Sequence, residues 1–234
     1  MRATAIVALA ALAVPASVGG ASKAAPAVDW TRTVARTPAG GFRMGNPQAK
    51  VKLVEYGSMT CPHCRAFDAA GSAKLIDGYV KTGKVSFEFR NYVRDPFDLA
   101  ASLVSRCNGA RSFFPLTRAL FRDQPKWVQK IQTAPKPRLE QLASLEPNRL
   151  ALQAARIAGF QQWAAGRGVP MAKSSACLTN AKEVNLLVQM NGKATELYPD
   201  FPGTPAFVLN GKMIGTRTWD ALEPELRTAL GERG

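Results

Sequence analysis

Histidine is nearly absent from this sequence: 234 residues contain one, His63. A site built on two histidine ligands is therefore excluded, and a hydrolytic triad would have to use this one imidazole. Cysteine is scarce as well, with Cys61, Cys64, Cys107 and Cys177 making up the four. Acidic residues number 17 against 31 Lys and Arg, which leaves a formal net charge of +14. Even so, no two basic residues are adjacent, so the charge forms no tract. Without a tract or a recognition motif, no nucleic-acid partner is expected. Diffuse positive charge instead favours solubility and loose attraction to anionic surfaces. Internal repeats are also lacking. What is present is globular in character, with 46% hydrophobic and 21% charged residues and a length that supports a sizeable core.

The N-terminus reads as an export signal. Arg2 is a short basic start, Ala3 to Ala16 is apolar, and Ser22-Lys23-Ala24 offers cleavage after Ala24. The stretch from Ala16 to Gly20 offers an earlier site. An uncleaved anchor is the alternative, because Ala3 to Ser22 is 20 residues without charge. Its alanine content, Pro15 and Gly19-Gly20 favour cleavage. No cysteine lies nearby, which excludes a lipoprotein anchor. Export predicts a periplasmic, oxidising location in which disulfides persist.

Residues 26 to 50 read as an extended lead-in, with a possible edge strand over Thr31–Arg36. Val51 to Tyr56 is the first firm strand, ended by Gly57 and Ser58. Phe67, Ala70, Leu75, Ile76, Tyr79 and Val80 then follow helical spacing, with Gly71 a possible kink. Val85, Phe87, Phe89 and Val93 give a second strand, so strand, helix and strand read as a parallel βαβ unit. From Pro96 the pattern is helical for roughly a hundred residues, with stretches at Ser112–Phe121, Pro147–Phe160 and Cys177–Leu197 punctuated by prolines. After Pro202-Gly203 it returns to β. Ala206–Leu209 and Lys212–Ile214 flank the hairpin signal Asn210-Gly211, and a helix from Trp219, capped by Thr218, closes the chain.

The chemistry concentrates at Cys61-Pro62-His63-Cys64, between the first strand and the helix. A cysteine at a helix start meets unpaired N–H groups and the positive end of the helix dipole. Both favour thiolate, so Cys61 is expected to be the attacking sulfur with a lowered pKa. Pro62 suits the first helical turn. His63, when protonated, adds a cation beside the sulfur. Cys64, one turn on, can close or resolve a disulfide. Half of a zinc site is the competing reading, and it would have to recruit Cys107 and Cys177 from the helical stretch. Far downstream, Gly203-Thr204-Pro205 precedes the β-hairpin, and a proline there needs a turn or a cis bond.

Cys61-Pro62-His63-Cys64, with Thr204-Pro205 before a ββα end and helices between, resembles a DsbA-type thiol:disulfide oxidoreductase. Gly41-Phe42-Arg43-Met44-Gly45-Asn46-Pro47 and the strand from Val51 look like the lead-in of alphaproteobacterial members, and the likeness runs over residues 40 to 232. The resemblance implies an α/β, thioredoxin-like fold with an inserted helical subdomain. The first part of the thioredoxin-like domain would span residues 25–95, the insertion 96–197 and the second part 198–234, after a signal over 1–24. Cys61 would be the nucleophile, Cys64 the resolving cysteine and Pro205 the cis-proline facing them. Thr204 would bind an extended substrate through its backbone, and His63 would stabilise the thiolate. Glu55, six residues before Cys61, matches the family's buried acid; on the strand reading alone it is equally an exposed carboxylate. Cys107 and Cys177 are either two free thiols or, as in the alphaproteobacterial relatives, a structural disulfide.

The resemblance further implies a redox-active disulfide in place of any bound cofactor or metal. The substrates would be unfolded exported proteins with free thiols, and a DsbB-type membrane quinone reductase would restore the disulfide. The leading expectation is an oxidase that donates the Cys61–Cys64 disulfide, and the alternative is a reductase or isomerase kept reduced by a membrane electron donor. Thr before the cis-proline is shared with isomerases and reductases, whereas Pro-His between the cysteines marks oxidases. Isomerases of this class dimerise through a long N-terminal domain, for which the roughly 25 residues between the expected cleavage site and the first strand leave no room, and a monomer is expected. A non-catalytic or zinc-binding thioredoxin-like module is the remaining alternative.

Overall fold

The computed structural model describes residues 28–232, and the signal expected over residues 1–24 lies outside them. Asp29 opens the described chain by accepting the Thr31 N–H at 3.0 Å, which caps a 3₁₀ turn at Trp30–Arg32. The expected edge strand is therefore shorter than read, because its first residues are spent on that turn. β1 (Val34–Arg36) pairs antiparallel with β2 (Phe42–Met44).

β3 (Val51–Gly57) is central. Alternation along it puts Val51, Leu53 and Glu55 on one face and Lys52, Val54 and Tyr56 on the other. Its parallel partner is β4 (Val85–Asn91), in register from Val51↔Val85 to Gly57↔Asn91. Parallel pairing requires a crossover. Here α1 (Pro62–Phe67), a π-helical stretch at Asp68–Ser72, α2 (Ala73–Leu75) and a second π-helical stretch at Ile76–Val80 supply it. Val93, read as part of the second strand, lies beyond its end. The Asn191 side chain takes the place of a neighbouring strand there, accepting the Val93 N–H at 2.9 Å and donating to its carbonyl.

From Pro96 to Leu197 the chain is helical. It forms α3 (Pro96–Arg106), α4 (Ala110–Arg122), α5 (Gln124–Gln132), α6 (Lys136–Glu140), α7 (Pro147–Ala158), α8 (Phe160–Ala165), α9 (Met171–Leu178) and α10 (Ala181–Leu197). Two expected helices are broken differently from the sequence reading. Gly159, at φ 76°, separates α7 from α8. Asn180 starts α10 by accepting the N–H groups of Lys182 and Glu183, which leaves Cys177 on α9. Pro115 lies inside α4 and does not end it.

The chain then returns to the sheet as β5 (Ala206–Leu209) and β6 (Lys212–Gly215). Asn210 and Gly211 turn between them with φ of 49° and 87°, the pair of positive values that a type I′ turn needs. α11 (Trp219–Leu230) closes the described chain. Thr218 stands at its N-cap position, but its side chain makes no capping hydrogen bond, contrary to expectation. The sheet order is β1-β2-β4-β3-β5-β6, and every pair but β3–β4 is antiparallel. Phe87 and Phe89 of β4 pack against Phe113, Phe114 and Phe121 of α4, which joins the helical region to the sheet through one apolar core. No helix among the described residues is long and apolar enough to cross a membrane. This is the thioredoxin-like α/β fold with a helical insertion that the motifs predicted.

Candidate active site

Cys61 is the N-cap residue of α1, with extended backbone (φ −78°, ψ 121°), and Pro62 fills the first turn, where no N–H is missed. Both Cys61 and Cys64 are free thiols. Their environments push them apart. The Cys64 thiol hydrogen-bonds the Cys61 sulfur, and this is the main cause that lowers the Cys61 pKa to about 5. Burial opposes it, while the Thr204 hydroxyl and the backbone N–H groups of Cys64 and His63 act with it. Cys64 is raised well above the usual thiol range, first by burial and then by its donation to Cys61 and the nearby Glu55. The Ser58 N–H, 3.5 Å from the Cys64 sulfur, is the one cause that acts toward its thiolate.

Opposite the pair, the Thr204–Pro205 bond is cis. It lies where β5 begins, and β5 runs antiparallel to β3, which feeds Cys61. That pairing brings the Cys61 thiol to the Thr204 carbonyl, to which it donates at 3.1 Å. The Thr204 hydroxyl is buried and has no partner while Cys61 is a thiol, so it is free to turn to a thiolate. A groove of about 680 Å³ runs past the site, lined by His63, Phe67, Ala70, Pro202, Thr204, Pro205 and Trp219 among others. His63 and Pro62 are solvent-exposed, whereas Cys61 is 1% exposed.

Glu55 occupies the core face of β3 and is 3% exposed, so the exposed-carboxylate alternative is set aside. Burial raises its pKa well above the carboxylate range, with Asp68 and Cys61 adding to the effect. Cys107 and Cys177 are joined by a disulfide between the end of α3 and α9, with the Cα atoms 5.6 Å apart. A four-thiolate zinc set would need that bond broken.

Three residues that the sequence reading passed over hold the loop before Cys61. Asp98, wholly buried, accepts from the Ser58 hydroxyl, from the Met59 N–H at 2.8 Å and from the Arg94 N–H at 3.0 Å. Burial pushes its pKa up to about 7, against the pull of those donors. Asp95 caps α3 and accepts the Thr60 hydroxyl at 2.6 Å. Gln124, at the start of α5, donates to the carbonyls of Met59 at 2.7 Å and Cys61 at 3.1 Å. One signal was legible: Asp95-Pro96 is an N-cap followed by a first-turn proline. Nothing in the sequence points Asp98 or Gln124 at the cysteines.

A family model described as thioredoxin matches residues 37–226. Among solved structures, a protein-disulfide isomerase from Novosphingobium aromaticivorans is 31% identical, with TM-score 0.77 over 81% of this chain and 97% of that one. Wolbachia pipientis alpha-DsbA1 shares the fold at TM-score 0.66 and 20% identity, over 84% of this chain and 93% of that one. A Rickettsia conorii protein named as a protein-disulfide oxidoreductase is 25% identical over 209 residues, which is 89% of this chain and 67% of that protein. A Rickettsia felis protein of the same name is 27% identical, and the match spans 81% of this chain and 60% of its partner's length. The thiolate-favouring cysteine at a helix start, the cis-proline facing it and these matches lead to one conclusion: the chain belongs to the thioredoxin family, among protein-disulfide oxidoreductases.

Proposed function

We propose that the protein is a periplasmic oxidase that donates the Cys61–Cys64 disulfide to unfolded exported proteins. The observation that carries this reading is the contrast between the two sulfurs, with Cys61 lowered to about 5 and Cys64 raised. A Cys61 thiolate favoured at pH 7 stabilises the reduced form over an ordinary thiol, which shifts the disulfide toward the oxidising side.

In the exchange, a substrate thiolate attacks the Cys61 sulfur of the oxidised protein. The Cys61–Cys64 bond breaks, a substrate–Cys61 disulfide forms, and the electron pair leaves on Cys64, which takes up a proton. Glu55, a buried acid close enough to raise Cys64, is suited to exchange that proton. A second substrate thiolate then attacks its partner sulfur in the mixed disulfide, and Cys61 leaves as a stable thiolate. The substrate is oxidised by two electrons and the protein is reduced by two. A DsbB-type membrane quinone reductase is the partner that would restore the disulfide. Thr204 and Pro205, at the groove beside Cys61, are placed to bind an extended substrate backbone.

The deciding experiment is the equilibrium of Cys61–Cys64 with glutathione. A disulfide more oxidising than the glutathione pool supports the oxidase. A potential near that of thioredoxin overturns it in favour of a reductase or isomerase. That second reading is favoured by the name of the 31% identical Novosphingobium protein and by Thr204.

A further inference from the structure

The Ser58–Cys61 segment is gripped on both sides of its backbone by side chains from the helical insertion. On one side Asp98 of α3 takes the Met59 N–H and the Ser58 hydroxyl. On the other, Gln124 of α5 donates one NH₂ to the carbonyls of Met59 and Cys61. Ser58, Met59, Cys61, Asp98 and Gln124 are all under 5% exposed, so water does not compete for these bonds. Asp98 is held in turn. Ser102 lies 3.5 Å from it, Asn91 donates to Ser102 at 3.1 Å, and the buried Arg106 donates to Asn91 at 3.0 Å and to Glu183 of α10 at 2.6 Å. A polar chain thus runs from α10 through the core to the loop.

The loop's alignment matters because of what Ser58 does. Its N–H points at the Cys64 sulfur, 3.5 Å away. Cys64 is the leaving group when substrate attacks Cys61, and its surroundings otherwise disfavour a thiolate. An N–H fixed in direction before the bond breaks stabilises the departing sulfur without reorganisation. We propose that Asp98 and Gln124 are positioning residues for thiol–disulfide exchange, holding the Ser58–Cys61 segment so that the Ser58 N–H meets the Cys64 sulfur as it leaves. The inserted helices are then part of the exchange machinery as well as a cover for the sheet. This inference rests on the exchange reading of the cysteine pair.

The test uses the full protein in a Cys61→Ala background, where Cys64 is the one free thiol once Cys107 and Cys177 are joined. The rate at which iodoacetamide alkylates Cys64 is followed against pH. Gln124→Ala, which removes no charge, is expected to move the profile upward by about one pH unit, the worth of one weakened hydrogen bond to a charged group. With Cys61 restored, Gln124→Ala and Asp98→Ala are each expected to oxidise a reduced unfolded protein about tenfold more slowly. An unchanged Cys64 profile in folded Gln124→Ala protein overturns the proposal, whatever the exchange rate. If Asp98→Ala does not fold, Gln124→Ala alone decides. Failure of the exchange reading looks different, because the wild type would then transfer no disulfide while the Cys64 profile still reported the grip.

Discussion

The Cys61 thiol donates to the Thr204 carbonyl at 3.1 Å, across 143 residues of chain. The hydroxyl of the same threonine has no other partner and helps to lower Cys61. Thr204→Val removes that hydroxyl and keeps the branched shape. We expect the Cys61 titration, followed by thiolate absorbance in the ultraviolet, to rise from about 5 by about one unit or less. The same midpoint in both proteins would remove Thr204 from the thiolate's partners.

Cys61 also makes stability depend on pH in the reduced protein. Its folded pKa lies below its unfolded one, so the contribution is complete above about pH 9 and is lost as pH falls through about 5. The stability difference between reduced wild type and Cys61→Ala should therefore shrink by about 3 kcal/mol between pH 7 and pH 4. Denaturant titrations at the two pH values measure it, and a constant difference would contradict the lowered pKa.

Glu55 works in the opposite sense. Its folded pKa is raised by burial, so the folded state loses stability as pH climbs above the ordinary carboxylate value of 4.5. Glu55→Gln keeps the size and removes the ionisation. The variant should be more stable than the wild type at pH 7, with an advantage growing by up to about 1.4 kcal/mol per pH unit until the wild-type carboxyl ionises. Parallel stability curves from pH 5 to 8 would count against a raised Glu55.

Gly71 sits beneath Trp219, and a Cβ there would lie 2.9 Å from the tryptophan's Cβ and Cε3. Gly71→Val forces Trp219 or the active-site helix to move. We expect a loss of about 1–3 kcal/mol, as for other overpacked cores. Trp219 also lines the groove, so peptide binding there should weaken. A variant of wild-type stability would show that the π-helical stretch yields more easily than the structure suggests.

The Cys107–Cys177 disulfide closes a long loop, with the two ends 70 residues apart in sequence. Replacing both cysteines by Ala should lower stability by up to about 4 kcal/mol, as chain entropy predicts for a loop of this length. The Cys61–Cys64 exchange rate on a small dithiol is expected to change less than the denaturation midpoint. An unchanged midpoint would mean that the unfolded chain gains little freedom when the bond is removed.

The sequence disclosed those parts of the site whose chemistry has a local spacing. The Cys pair at a strand-to-helix junction, the proline before a β-hairpin and the βαβ periodicity each follow from a few adjacent residues. The helical region was legible in bulk but not in its joints. Gly159 and Asn180 act through backbone geometry that a periodicity count passes over. Val93 looks like a strand residue, yet the side chain that pairs with it comes from Asn191. Asp98 and Gln124 were illegible for a related reason. Each looks like an ordinary residue near a helix start, and only the packing of α3 and α5 against the loop before Cys61 gives it a target. Glu55 lay between these cases: alternation gave its face, but not which face is covered.

The bond between Cys107 and Cys177 makes the protein a client of the chemistry proposed for it. Two thiols lose two electrons and two protons before the helical region is complete, and some acceptor must receive them. A mature copy, oxidised at Cys61–Cys64, can be that acceptor for a newly made one. The donor copy is left reduced at Cys61–Cys64, so each maturation also draws one oxidising equivalent from whatever re-forms that disulfide, and without such an oxidant the total number of disulfides would not grow.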